Sequence, residues 1–479
     1  MINRISFLLY TLFVFALFTR CSGETTIIDN PDIQDDVNHW IEQKMRDQYL
    51  WYDEMPESGT LDFSLEPEQF FYSLLSEKDG KDRDGGHQYY SAINQKAAAS
   101  KAYMGDGYSF GFEFQYYNVI NLNKYGLMVF YVLPASPASE AGLKRGDWIY
   151  TINDKPVPNN LAELIALLDT STPKTLKIGI SERFDGAISR TASITARTVT
   201  DNPVLVHKTI PLDDGQKVGY LLYNHFTSGP QGVEDETFNN NLRGAFAQFS
   251  ADNVSDFVLD LRFNGGGLVS CAQLLATMLA PESALSDIFC HLTYNNKNKD
   301  NKKTLYLDPA RIKEGVPGAN LNLSRLFIIT SERTASASEM IINGLSAYKE
   351  MELIQVGAKT EGKNVASVTI ADDLYDWELH PIVSYLSNKK DFSDYANGFP
   401  PTPGFECDDS KQSDYYPLGD REEYVLRHIL NYIAYGSFAG SRSQPLRSAE
   451  ETNLIPLYNS LDSKKTNGAA ILSADFHRP

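Results

Sequence analysis

The sequence predicts an α/β protein, α+β over its full length, and three observations carry the prediction. Between Val204 and Tyr435, apolar runs ("KVGYLLYNHF", "DFVLDLRF", "RLFIITSE", "ELIQVGAK") alternate with helix-like segments. Runs that stay apolar at successive positions imply strands covered on both faces, the pattern of a sheet packed under helices. The 479 residues are 42% hydrophobic and 12% aromatic, ample for buried cores, and at about 150 residues per domain the length suggests three domains.

The first element is not part of any core. In "MINRISFLLYTLFVFALFTR" an arginine precedes an apolar stretch from Ile5 to Phe18, followed by Cys21 and a polar run. A stretch of about 14 apolar residues is short for a bilayer span and suits the apolar region of a signal peptide. A cysteine directly after it resembles a bacterial lipoprotein signal, with Cys21 lipidated and the mature chain anchored to the outer membrane, on its periplasmic or surface face. The "FTRC" junction lacks the usual small residues, and an ordinary secretory signal cut nearby is the alternative. Either reading takes the protein out of the cytoplasm. Residues 21–36 then form a tether.

Residues 37–97 predict a small helical module. Trp40, Ile41, Met45, Tyr49 and Leu50 fall at helical spacing, and "EPEQFFYSLLSEKDGKDRDGG" offers a second short helix. A module of about 60 residues buries little on its own. From 98 to 198 the pattern changes to short strands. Within it "SPASEAGLKRGDWIYTIND" predicts a short helix capped by Gly142, a turn at Gly146 and Asp147, and a strand carrying Ile149 and Ile152. This stretch resembles a PDZ domain. The resemblance implies a Φ-Gly-Φ loop at Phe110, Gly111 and Phe112, whose backbone N–H groups face a ligand's C-terminal carboxylate while the peptide adds a strand to the sheet edge. The same three residues are also compatible with plain strand. The α/β core takes residues 199–436, and 437–479 read as a polar, aperiodic and flexible tail without a function.

Charge excludes one class of partner. Lys and Arg total 43 against 62 Asp and Glu, a net charge of −19, with no basic stripe, so nucleic acid is not expected. Besides Cys21 the cysteines are Cys271, Cys290 and Cys407, and their spacing fits neither a disulfide framework nor a zinc site. No metal or other cofactor is expected.

The chemistry gathers at strand ends. "DLRFNGGGLV" reads as strand, three glycines (Gly265, Gly266, Gly267), then helix. Free N–H groups at a helix start, with no side chains in the way, suit negative charge: a phosphate, or the oxyanion of acyl transfer. A phosphate loop wants Lys-Ser/Thr or spaced glycines, and "GGGLVSC" supplies neither; a purely structural turn also stays open. In the next strand-loop-helix, Ser336, Ala337, Ser338 and Glu339 match a capping box, so Ser336 could simply cap a helix. The same geometry puts its hydroxyl at a positive helix terminus beyond the carboxyl end of a strand, where open α/β sheets bind ligands. A third strand ends at Gly362 and Lys363, a lysine that alone would read as a solvated surface charge. Together they supply N–H donors, a hydroxyl and an amine, the parts for serine catalysis with lysine as general base. Lysine accepts a proton near neutrality only when burial lowers its pKa from about 10.4, so an apolar pocket is expected around it. The eight histidines, the usual alternative base, show no motif linking them to Ser336; His225 in "YNHF", at the end of a core strand, is the one not dismissed. Neither G-x-S-x-G nor H-E-x-x-H occurs.

"DLRFNGGG", "TASASEMIINGL" and "GAKTEGKNV", with a PDZ-like segment upstream and "WIEQKMRDQYLWYDEMP" near the start, resemble the C-terminal processing peptidases, serine-lysine endopeptidases, in a lipoprotein form similar to those of Bacteroidetes. The resemblance spans roughly residues 37–435. It implies a crotonase/ClpP-like protease core, Ser336 as nucleophile, Lys363 as base, and the N–H groups of Gly266 and Ala337 as oxyanion donors. It also implies protein or peptide substrates engaged through their C-termini. Two positions depart from the family. Gly265 replaces a common proline, and Ser367 stands where a glutamine often orients the lysine, with a shorter reach. Ser338 is a rival nucleophile, disfavoured by motif position and capping geometry. Two other functions fit parts of the pattern: a non-catalytic peptide-binding lipoprotein on the same fold, and an acyl-transfer enzyme acting on a small acyl compound, against which the upstream peptide-reading segment speaks.

Overall fold

The computed structural model describes residues 31–83, 86–96, 106–182, 184, 186–297, 300–409, 415–438, 453–462 and 470–472; the signal-like segment and Cys21 lie outside them. No helix among the described residues is long and apolar enough to cross a membrane.

Helix α1 (Pro31–Gln48) and the short α2 (Pro67–Ser73) form the N-terminal module. Trp40, Ile41 and Met45 of the predicted stripe lie on α1, Tyr49 and Leu50 follow just past its end, and all five are buried. The module has no separate core. Its stripe merges with residues of the α/β core, such as Leu292, Ile382 and Leu386, in one continuous cluster, which is how so short a segment becomes stable. A hairpin, β1 (Lys81–Arg83) and β2 (Gly86–Gln88), follows.

The PDZ-like part is an antiparallel sheet of β3 (Phe112–Val119), β4 (Lys124–Val132), β5 (Trp148–Ile152), β6 (Thr175–Ser181) and β7 (Arg190–Thr195), in the order β7-β6-β5-β4-β3. A helical turn at Pro137–Glu140, capped by the Ser136 side chain, precedes β5, and α3 (Leu161–Leu168) packs on the sheet through buried Leu164. Ile149 and Ile152 point into this core. So do Phe110 and Phe112, on either side of a Gly111 whose missing Cβ leaves room for the Ser136 side chain.

The α/β core has the sheet order β8 (Val204–Pro211), β9 (Lys217–Tyr223), β10 (Asp256–Asp260), β11 (Arg325–Thr330) and β12 (Glu352–Gly357), antiparallel in the first pair and parallel thereafter. Its apolar runs are explained by alternation between two buried faces. Leu221, Phe257, Leu259, Leu326 and Ile328 face one cluster with α4 (Thr237–Ala251), α5 (Val269–Leu279) and α6 (Ala337–Leu345). Tyr220, Leu222, Val258, Phe327 and Ile329 face another with α7 (Tyr424–Tyr435). Cys271, Cys290 and Cys407 are buried free thiols. After β12 the chain enters β13 (Val365–Val368), in a second sheet that packs on the first cluster.

The tail departs from expectation. Described segments of it form two strands, β14 (Leu454–Asn459), antiparallel to β3, and β15 (Ala470–Leu472), parallel to β13. Strand addition to an existing edge uses main-chain groups, so it leaves little amphipathic pattern in the sequence.

Candidate active site

β10, β11 and β12 are neighbours, and the loops leaving their carboxyl ends carry the glycines, Ser336 and Lys363 respectively. The three loops predicted from sequence therefore meet at one end of the sheet.

Ser336 is the N-cap of α6 and holds φ 61°, ψ −116°, a left-handed conformation that a serine adopts at a cost of about 1–3 kcal/mol and that tertiary contacts must enforce. Glu339 supplies them. Its Oε2 accepts the Ser336 N–H at 2.9 Å and the Lys363 N–H at 2.8 Å, and its Oε1 accepts the Gly362 N–H and the Thr360 hydroxyl at 2.6 Å each. Half of the expected capping box is thus present, extended to the lysine loop. The Ser336 side chain faces the Glu339 N–H, but its fully buried Oγ makes no hydrogen bond of good geometry. Burial pushes the Glu339 carboxyl above its ordinary range, while its donors pull it back. Ser338 is engaged elsewhere, donating to the Asn264 carbonyl at 3.2 Å.

The glycine loop packs directly on the serine. A Cβ on Gly266 would sit 2.7 Å from Ser336 Cβ, and one on Gly267 would sit 2.3 Å from the Phe226 carbonyl oxygen, with both residues at positive φ (111° and 133°). These two positions require glycine; Gly265, outside the positive-φ set, does not, in keeping with the proline common there. The Gly266 N–H donates to Asn264 Oδ1 at 2.9 Å, and Asn264 Nδ2 donates to the Tyr223 carbonyl at 2.9 Å. Ala337 N–H belongs to the first turn of α6, which the helix itself cannot satisfy.

Lys363 is 7% exposed, and its Nζ lies 4.6 Å from the centre of the Tyr90 ring. The ring gives the ammonium an apolar, electron-rich neighbour. Tyr90 comes from the N-terminal module, whose hairpin also sends Lys81 and Arg83 onto Glu361 beside the lysine. Ser367 sits fully buried on β13 with a hydroxyl that makes no hydrogen bond, so no contact with Lys363 Nζ forms through it. His225 bonds Asn224 Oδ1 through Nδ1 at 2.8 Å, next to the Phe226 that pairs with the glycine loop.

A cavity of about 950 Å³ opens between the PDZ-like sheet and the core, reaching Gly265, Ala335 and Lys363 on one wall and Tyr117 and Phe130 on the other. Behind it, a charged cluster joins the two parts. Arg262, from the glycine motif, bonds Asp260 at 2.9 Å, Glu423 at 2.9 Å and Asp409 at 3.0 Å, and Arg145 of the PDZ-like part bonds Asp409 at 2.9 Å. The two guanidiniums hold the Asp409 carboxyl down at about 2 against the opposing effect of burial. Tyr90, Asn264, Asp409 and the second role of Glu339 were not singled out by the sequence. Tyr90 and Asp409 act on residues far away in the chain, Asn264 acts within its own loop through a bond that the fold of that loop sets, and only the Glu339 spacing left a local signal.

Comparison with known proteins adds three domain matches: Peptidase family S41 over residues 217–373, Peptidase S41 N-terminal domain over 36–92, and PDZ domain over 128–180. The fold is similar to the crystal structure of an S41-family protein from Bacteroides fragilis NCTC 9343, with 34% identity, a TM-score of 0.70, and coverage of 83% of this chain and 97% of that one. Among curated proteins it is similar to the carboxyl-terminal-processing protease of Picosynechococcus sp., 26% identical over 272 residues, 54% of this chain and 58% of that protein. It is also similar to the chloroplastic C-terminal processing peptidase of Tetradesmus obliquus, 26% identical over 253 residues, 51% of this chain and 48% of that one. The chain thus spans about half the length of the curated relatives it matches.

Proposed function

The chain belongs to peptidase family S41, with the family's N-terminal domain and a PDZ domain, and from that premise we propose that it is a serine endopeptidase with Ser336 as nucleophile and Lys363 as general base. The observation that carries the reading is the Glu339 carboxylate, which accepts from the backbone N–H of both residues and ties the two loops at one point. Lys363, desolvated beside Tyr90, takes the Ser336 proton as Oγ attacks a peptide carbonyl. The oxyanion is received by the N–H groups of Gly266 and Ala337; Lys363 then protonates the leaving amine, and water hydrolyses the acyl-enzyme. For this the Gly266 N–H turns from Asn264 Oδ1 toward the substrate, and Ser336 becomes exposed. The closed arrangement described above is a resting one. Ser367, buried and without a hydrogen bond to Lys363, does not orient the base in this arrangement.

The PDZ domain engages substrates by their C-termini at the Phe110–Gly111–Phe112 loop. The enzyme works outside the cytoplasm, anchored to the outer membrane through Cys21 by the signal-like segment described above. A second reading, a peptide-binding lipoprotein without catalysis, draws on the complete burial of Ser336. One experiment separates the two: protein beginning after Cys21 is incubated with β-casein, and the products are compared by mass spectrometry for the wild type, Ser336→Ala and Lys363→Ala. Cleavage lost in both variants supports the peptidase. Equal, negligible cleavage in all three, with or without C-terminal peptides, supports the binding protein.

A further inference from the structure

β14 runs along the free edge of β3, with Leu454 opposite Val119 and Asn459 opposite Gln115. Its chain direction leads toward the Phe110–Gly111–Phe112 loop at the start of β3. That is the edge and polarity of a peptide adding a strand beside a Φ-Gly-Φ loop. The strand does not end at the loop. Ser460 Oγ accepts the Phe114 N–H at 2.8 Å and donates to Glu113 Oε2 at 2.6 Å, and the chain then turns away. Side chains fasten the pairing: Asn459 Nδ2 donates to Gln115 Oε1 at 2.9 Å, and Gln115 Nε2 donates to the Tyr458 carbonyl at 2.8 Å. Beyond the groove, Leu461 is buried in the cluster that holds Tyr131 and Phe263, and Asp462 pairs with Arg333, three residues before Ser336. Asn459 and Asp462 also line the cavity that reaches Lys363. Further on, Ile471 pairs with Ser367 on the strand that follows Lys363.

We propose that residues 454–462 are a resident ligand of the PDZ groove: an internal strand that a substrate peptide must displace, and whose departure frees Arg333 and the nucleophile loop. The outward side chains fit an exchangeable occupant. Ile455 and Leu457 remain 44% exposed, so the strand holds its place mainly by main-chain pairing and polar clasps. Tethering gives it a high effective concentration, on the order of millimolar, which sets the threshold an incoming peptide must exceed. An incoming peptide ending in a free carboxylate gains what the resident strand lacks, a terminal charge at the loop.

This inference rests on the peptidase reading for its consequence and for the first of its two tests, but not for the second. Gln115→Cys with Asn459→Cys, opposite one another in the ladder, joins the strand to the groove reversibly; the native thiols Cys271, Cys290 and Cys407 are buried and do not compete. On the otherwise full chain after Cys21, oxidation should slow β-casein cleavage by about ten-fold or more relative to the reduced form, with recovery on reduction, because the tether no longer opens. Equal, measurable cleavage in both forms would overturn the inference. A second readout, on the Ser336→Ala background, is binding of a fluorescein-labelled peptide of residues 453–460 with a free carboxylate. Binding to the reduced form that weakens about ten-fold or more on oxidation supports the resident strand; equal binding in both forms, absent binding included, overturns it. Redox-dependent binding with no cleavage in any form would leave the resident strand standing and remove the peptidase reading.

Discussion

The two regions expected to meet a peptide are built on opposite terms. Around Ser336 and Lys363, one buried carboxylate collects four donors from two loops, three backbone N–H groups and the Thr360 hydroxyl. At the PDZ edge, a main-chain ladder carries a strand whose apolar side chains lie partly in solvent. The first construction keeps a geometry and the second exchanges an occupant. Stability and responsiveness are thereby placed in different domains, joined by the Arg145–Asp409–Arg262 cluster.

The sharpest way to break this contrast is at its most rigid point. Glu339→Ala leaves the N–H groups of Ser336, Gly362 and Lys363 buried without an acceptor, and at about 1–3 kcal/mol for each such group a loss of about 3–9 kcal/mol is expected in urea unfolding, with peptide cleavage abolished. Glu339→Gln should recover only part of this, since its amide turns donors toward donors. Arg145→Ala leaves Asp409 and Glu423 short of a partner in the cluster, and breaking such a pair costs about 3–5 kcal/mol; the loss should fall on PDZ-to-core coupling and be read as separated transitions in calorimetry. Gly266→Ala forces a Cβ onto Ser336 at positive φ and shifts the proposed oxyanion donor, so kcat should fall by about 100- to 1,000-fold while secondary structure by circular dichroism is retained.

Smaller effects sharpen the same comparison. Asp409 is held at about 2 against an ordinary 3.8, so its contribution is complete above about pH 4 and is lost as pH falls through its folded pKa. The PDZ-to-core junction should therefore loosen only below about pH 4, as followed by tryptophan fluorescence of the PDZ residue Trp148. Tyr90→Phe keeps the ring beneath Lys363 and should leave cleavage within about two-fold, whereas Tyr90→Ala removes a cation–π contact of about 0.5–2 kcal/mol and should lower it several-fold and shift the acidic limb of the pH–rate profile, where the proposed base loses its proton.

What was legible in the sequence was whatever repeats or clusters locally. The α1 stripe, the doubly buried core strands and the three strand-end loops all follow from spacing within about twenty residues, and the structure contains each of them. Asn264 was visible as a letter beside the glycines but not as the acceptor for Gly266, because that bond depends on the fold of the loop. Tyr90 and Arg145 reach their partners across hundreds of residues, and no periodicity marks them. The tail was misjudged for a different reason: a strand that borrows its neighbours' hydrogen bonds needs no apolar face of its own, so "NLIPLYNSLD" shows neither a clear alternation nor a turn signal.

The central claim, that Ser336 is a nucleophile activated by Lys363, is tested most directly by reaction with a fluorophosphonate and location of the adduct by mass spectrometry. The account predicts a single adduct on Ser336, formed about 100-fold or more slowly in Lys363→Ala, in line with the usual contribution of a general base. An adduct on Ser338, or labelling of Ser336 at the same rate without Lys363, would contradict it.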